Sequence, residues 1–278
     1  VKRLVATVGA VASIAAWSGC ATRANKDAEQ SQIRYQLAAD YFRGQRTEAA
    51  LDEVHKALEI DPDNADAYDL MGLIALSQGA QYLRQVEISN CLSGVDAEGV
   101  RRDAAAKFKE AEEHLRKATT LRPVFAEAWN NLSVAALQLE SYDEASTAAT
   151  NALKDVAYPS PELARANLGW AEFHRGNLNA AWRALHEAVA QIPGFCVGRY
   201  RLAKVYVERG QYEEAAEELD AVVSNPACPI QEAFLLGGLV HQRRKDPGGA
   251  RGLFERCVAV APRACLAVEC RRYGGMLQ

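Results

Sequence analysis

The sequence predicts an all-α fold, a right-handed superhelix of six helix-turn-helix repeats with a C-terminal capping helix. Three observations predict it. The chain matches itself on a period of about 34 residues, and such self-similarity marks stacked repeats, not the two ordinary domains that 278 residues would otherwise suggest. Small residues recur in pairs, Ala50 with Ala57, Ala111 with Ala118, Ala181 with Ala188 and Ala250 with Cys257, and let two antiparallel helices approach closely. After each pair stands a proline, at Pro62, Pro123, Pro193 and Pro262, which ends the second helix because it has no N–H to give the next turn.

Taken in order, residues 1–19 read as a signal peptide. Lys2 and Arg3 are a basic start, the run from Leu4 to Trp17 is uncharged and mostly apolar, and Ser18, Gly19 and Cys20 end it. The run falls short of the roughly 20 apolar residues of a spanning helix. Its end resembles the lipobox of bacterial lipoproteins, which implies cleavage before Cys20 and a diacylglycerol and acyl chain on that residue. Ala21, where the resemblance would have an aspartate as an inner-membrane signal, implies the outer membrane. Several acyl chains hold a protein to a bilayer where one alone is marginal. Residues 20–30 then form a polar linker.

Repeats are expected at 31–64, 65–125, 126–161, 162–195, 196–229 and 230–264. A large apolar residue followed by a small one marks the first helix at Leu37-Ala38, Met71-Gly72, Leu132-Ser133, Leu168-Gly169 and Leu202-Ala203. Tyr41, Tyr68, Trp129, Tyr142, Tyr206, Tyr212, Phe234 and Phe254 supply bulk in register. An insertion at 80–106, polar and broken by Gly94 and Gly99, interrupts the second unit; a short helix near Tyr82 to Ser89 followed by a loop is expected there. Between the third and fourth units Tyr158-Pro159-Ser160-Pro161 forms a stiff stretch expected to change the stacking angle. Residues 265–273, apolar and then basic, read as the capping helix, and the last residues to 278 as a frayed tail.

These units resemble the tetratricopeptide repeat (TPR). The stretch from Ala152 to Pro161, followed by Asn167-Leu168-Gly169, is similar to the third-to-fourth repeat junction of the type IV pilus pilotins, the PilF/PilW family, and in particular its gliding-bacterium branch. That resemblance implies a six-repeat lipoprotein of the outer membrane, facing the periplasm and without enzymatic activity. It implies as partner the pilus secretin, whose insertion and multimer assembly the protein promotes, so that pili form and twitching or social gliding proceeds. The alternative is a scaffold lipoprotein that recruits cell-wall enzymes or outer-membrane assembly factors.

In a TPR superhelix fixed positions of each first helix line the concave side, where a peptide can lie. Those positions hold Tyr35 and Phe42, Leu73 and Leu76, Val134 and Leu137, and Trp170 and Phe173. As a set they favour a groove for an apolar segment; singly, each can instead be core, as apolar stripes at helical spacing usually are. Repeat five, with Tyr200, Lys204, Val207 and Glu208, is wetter.

Of the seven cysteines, six remain if Cys20 is acylated, an even number for an oxidising compartment. Cys196 and Cys228 stand at successive inter-repeat turns and are the first disulfide candidate; Cys257 can reach Cys265 or Cys270; Cys91 is left over. Zinc ligation has no support, because there is no CxxC or HxxxH pair and His55, His114, His174, His186 and His241 are scattered.

Composition and motifs exclude other classes. With 49% hydrophobic and 24% charged residues, neither wholesale disorder nor a polytopic membrane protein fits. A net charge of -4, which becomes more acidic once Lys2 and Arg3 are removed, lacks the basic excess that drives nucleic-acid binding. No GxSxG, phosphate-binding glycine loop or fixed carboxylate pair supports catalysis, and Glu213, Glu214, Glu217 and Glu218 read as solvated helix faces. No cofactor beyond the lipid, no small-molecule substrate and no metal is expected.

Overall fold

A computed structural model describes residues 14–89 and 91–277; most of residues 1–19, expected to be a signal peptide, lies outside them, and of Cys20 only the backbone is described. The described residues form thirteen α-helices and one π-helical turn, with no strand among them. None of these helices is long and apolar enough to cross a membrane. The chain divides into two compact units, one up to Met71 and one from Gly72 onward.

The first unit contains α1 (Ile14–Arg43), α2 (Thr47–Ile60) and the start of α3 (Ala65–Arg84). Residues 21–30, expected to be a linker, are instead part of α1. Ala21, Ala24, Ala28, Glu29 and Gln30 are strong helix formers, and no glycine or proline interrupts them. Ala38, Ala50, Val54 and Ala57 have no exposed surface between α1 and α2. Ser31 Oγ donates to the Ala57 carbonyl at 2.8 Å and accepts from Asn64 Nδ2 at 2.8 Å, while Asn64 Oδ1 caps α3 by accepting from the Ala67 N–H at 3.0 Å. One buried polar triad thus ties the two helices to the start of the third.

In the second unit, α4 (Val95–Leu121) pairs with α3. Then follow α5 (Ala126–Gln138) with α6 (Tyr142–Ala152), α7 (Pro161–His174) with α8 (Leu178–Gln191), α9 (Cys196–Glu208) with α10 (Tyr212–Val223), α11 (Gln231–Arg243) with α12 (Pro247–Val260), and last α13 (Cys265–Gly275). The repeat chemistry read from the sequence is visible in the packing. Ala111, Ala118, Ala181, Ala188, Ala250 and Cys257 have no exposed surface. The second helices end just before the prolines, with last bonds Arg122 N–H to Ala118 and Ile192 N–H to Ala188 at 2.9 and 3.1 Å. Helices approach most closely at the glycines of the first-helix step: a Cβ on Gly169 would sit 2.5 Å from Leu185 Cγ, and one on Gly238 2.3 Å from the Phe254 ring.

Each first helix ends in the same way. A residue with positive φ follows it, at Glu140 (56°), Gly176 (79°), Gly210 (73°) and Lys245 (60°), and the next N–H reaches back five residues, Ser141 to Ala136, Asn177 to Glu172, Gln211 to Tyr206 and Asp246 to His241. This Schellman geometry satisfies the terminal carbonyls and sets the hairpin.

Repeat two departs from this rule. Residues 80–106 do not form a short helix and loop; they prolong the hairpin. The helix α3 runs on to Arg84, a π-helical turn spans Gln85–Ser89, and α4 begins at Val95. Val86 and Ala97 have no exposed surface and Ala104 has 1%, so the added turns keep a buried face. Gly94 supplies the reversal with φ 78°, whereas Gly99 lies inside α4 and breaks nothing. Tyr158, in the stiff junction, is buried with Ala126, Ala152 and Ala164.

At the other end α13 packs on α12 and α11. The tail expected to fray is held through Leu277, whose carbonyl accepts from Arg251 Nη2 at 2.7 Å. Three disulfides staple this unit: Cys196–Cys228 with Cα atoms 5.5 Å apart, Cys257–Cys270 at 6.2 Å, and Cys91–Cys265 at 4.5 Å. Cys91, left over in the sequence, therefore joins the tip of the prolonged hairpin to the first residue of the cap, and its π-helical turn touches α13.

Candidate functional site on the inner face of the first helices

First helices pack on one another as well as on their partners: α5 on α7, α7 on α9, and α11 on α13. Among the described residues, second helices do not pack on each other in this way. An array that touches along one side and not the other curves toward the touching side. Because Cys91 and Cys265 bring its ends together, the first helices face the interior of that curve.

The sequence-derived groove residues divide on inspection. Tyr35 and Phe42 belong to the first unit, both half-buried, and are a separate candidate surface. Leu76 is 8% exposed and packs with Ala75, Phe108, Ala111 and Leu115, so it is core: the long α4 covers the position. Leu73, Val134, Leu137, Trp170 and Phe173 are half-buried. Val134 leans on the α3–α4–α5 core, Leu137 on Ala136, Ala145 and Ala171, and Phe173 on the α7–α8 core, so each combines packing with an open edge. Trp170 and Phe173 stack with ring centroids 5.0 Å apart, His174 meets both edge-on, and Tyr142 stacks on His174 at 4.4 Å.

Sequence reasoning missed the polar rail beneath these rings. Asn167 Nδ2 donates to Asn130 Oδ1 at 3.1 Å and to Ser133 Oγ at 3.0 Å; Arg201 Nη1 donates to Asn167 Oδ1 and to the Ala166 carbonyl, both at 3.1 Å. Three consecutive first helices are thus pinned in register by a buried network, a costly feature unless fully satisfied. Its signal was present as a polar residue beside the small one in α5 and α7, but a lone asparagine gives no hint of a partner 37 residues away. Arg201 and Lys204 also lie over the Trp170 ring, each 5.4 Å from its centroid, within reach of a cation–π attraction.

Burial draws the Arg201 guanidinium down to about 10 and raises the Tyr200 phenol to about 12. The His174 imidazole is pushed down by burial first, then by Lys204 and Arg201, against the opposing pull of Glu140. Neither Arg201 nor Lys204 forms an ion pair with a carboxylate among the described residues, so this stretch of the inner face combines aromatic surface with two uncompensated cations. Of the acidic residues read as solvated faces, Glu213, which pairs with Arg244, and Glu217 are exposed, whereas Glu218 is largely covered and pairs with Arg199. The arrangement can hold an apolar segment and a carboxylate together; it offers no nucleophile beside a base.

Comparison with known proteins agrees with this fold. PilW, a widely conserved type IV pilus biogenesis factor, is 24% identical, with 86% of this chain and 97% of PilW aligned at a TM-score of 0.67. PilF of Pseudomonas aeruginosa is 20% identical over 89% of this chain and 99% of its own, also at 0.67. Human IFIT1, solved with a capped RNA, aligns 89% of this chain with 63% of its own at 15% identity and 0.59. At these identities the likeness is one of fold. No protein of curated function matches by sequence. Tetratricopeptide repeats are matched over residues 97–160, 135–194 and 200–264, and in a second form over 172–226. With the repeat helices, their glycine approaches and their turns in place over more than half of its length, the chain belongs to the tetratricopeptide repeat family.

Proposed function

We propose that the chain is a non-enzymatic pilotin: a lipoprotein of the outer membrane, facing the periplasm and anchored through Cys20, that binds the type IV pilus secretin and promotes its insertion and multimer assembly. The observation that carries this reading is the alignment with PilW and PilF, which takes in 97% and 99% of those chains and 86% and 89% of this one. The inner face supplies the means. Leu73, Val134, Leu137, Trp170 and Phe173 present apolar edges, and burying a few such side chains contributes about 1.5 to 3 kcal/mol each before ordering costs. Arg201 and Lys204 favour a secretin segment that carries an acidic residue beside its apolar ones.

The test replaces Leu73 by Asp and Trp170 by Ser together, with Glu217→Lys as the control on the outer surface. The double variant is expected to melt as a folded protein and remain membrane-bound, yet to lose most heat-resistant secretin multimers and pilus-dependent motility; the control keeps both. Normal multimer levels in a folded double variant would remove the inner face from the mechanism. The anchor is tested separately by Cys20→Ala, which is expected to leave the outer-membrane fraction; its retention there in cells lacking the secretin contradicts the lipid attachment.

A further inference from the structure

The three disulfides are not chemically equivalent. Cys257 and Cys270 have no exposed surface, and half-buried Cys196 is bonded to Cys228, which has 4%, whereas Cys91 and Cys265 are both half-buried, so theirs is the bond of the three in which neither cysteine is buried. Cys265 is the first residue of α13, where the helix dipole favours a thiolate. Cys91 has φ 44°, a left-handed conformation that is costly for a residue with a Cβ. Among the described residues the tip is held within the hairpin by the Leu92 N–H to the Val86 carbonyl at 2.9 Å and Arg101 to Glu87 at 3.8 Å, and the π-helical turn touches α13.

We propose that Cys91–Cys265 is a substrate disulfide for a dithiol oxidoreductase, a reversible latch between the prolonged hairpin of repeat two and the C-terminal cap. A thiolate of the enzyme attacks Cys91 Sγ, the bond to Cys265 breaks, and Cys265 leaves as the thiolate that the α13 N-terminus stabilises. The better-stabilised thiolate is the faster leaving group, which fixes the direction of attack. The enzyme's second thiol then attacks its own sulfur in the mixed disulfide and expels Cys91. The enzyme ends as a disulfide, and the chain has gained two electrons and two protons. The reverse sequence closes the latch. Reduction releases the hairpin tip from the cap and frees the two ends of the curve whose interior the first helices face, while Cys196–Cys228 and Cys257–Cys270 stay closed and keep the repeats stapled.

The intact protein is treated with graded dithiothreitol, quenched with an alkylating agent and mapped by mass spectrometry. Cys91 and Cys265 are expected to be labelled at least tenfold faster than Cys196, Cys228, Cys257 and Cys270. A thioredoxin-type enzyme lacking its resolving cysteine is expected to be trapped on Cys91, not on Cys265. Simultaneous reduction of all three bonds, prior reduction of another, trapping on Cys265, or failure to find Cys91 and Cys265 linked in the unreduced protein would each overturn the proposal. None of these outcomes depends on the identity of the partner in the groove.

Discussion

Glu172 shows how one residue of the repeat holds three pieces of chain together. Burial pushes its carboxyl up, but hydrogen bonds from Ser146 on α6, Asn177 in the following turn and Arg175 outweigh that, and its pKa lies below the usual carboxylate value. A carboxylate with a depressed folded-state pKa adds stability that is complete above its unfolded value and is lost as the pH falls through the folded one. Glu172→Gln is therefore expected to cost about 1.5 to 3 kcal/mol near pH 7, the worth of hydrogen bonds to a charged group. The gap from wild type should narrow below about pH 4 as the wild-type carboxylate protonates. Urea unfolding at the two pH values measures both; a gap independent of pH would mean that shape, not charge, is what the site needs. At this scale the sequence is legible where a residue acts by size. Ala57, Ala118, Ala188 and Cys257 announce a close approach because nothing larger fits. It is illegible where a residue acts through a partner, as with Asn167, Arg201 and Glu172, since hydrogen-bond geometry leaves no local pattern.

Elements divide the same way. The helix pairs follow from period, glycine and proline, and the glycines on the first helices carry the tightest constraint. Gly169→Ala is expected to destabilise by about 1 to 3 kcal/mol, because its Cβ would press on Leu185 and on the Ala181 carbonyl, at 2.5 and 3.1 Å. Gly99→Ala runs the other way. That position is helical with open space around it, and alanine should stabilise by up to about 1 kcal/mol. Thermal melts of the two variants check both signs. The Gly99 case also explains why the part of the insertion after Ser89 reads as a loop in the sequence: two glycines and a polar surface outweigh the buried face made by Val86, Ala97 and Ala104, which has helical spacing but spans a turn that no motif marks. In the linker of residues 21–30, likewise, polarity masked good helix formers. Of the eight candidate groove residues read from periodicity, seven are half-buried, Tyr35 and Phe42 in the first unit and five in the second; Leu76 was lost to the core because only the structure brings α4 over it.

Across the whole molecule, cysteine positions predicted the local pair Cys196–Cys228 from adjacent turns, but not Cys91–Cys265, which requires the curvature of four intervening repeats to bring its ends together. That bond spans 174 positions, against 32 and 13 for the others. It also decides how the protein responds to tension. Load applied between residues flanking the latch passes through the sulfur–sulfur bond, and the chain from Cys91 to Cys265 is bypassed. On full extension about 600 Å of contour would stay hidden at roughly 3.4 Å per residue. A single-molecule pulling experiment on the oxidised protein is expected to release only the flanking segments, and on the protein with this bond alone reduced to gain about 450 Å at roughly 3.4 Å per residue, because the spans 196–228 and 257–270 stay closed by their own disulfides. One redox event therefore decides how much of the chain load can draw out: only the segments outside the latch when it is oxidised, and the repeats between Cys91 and Cys265 as well when it is reduced.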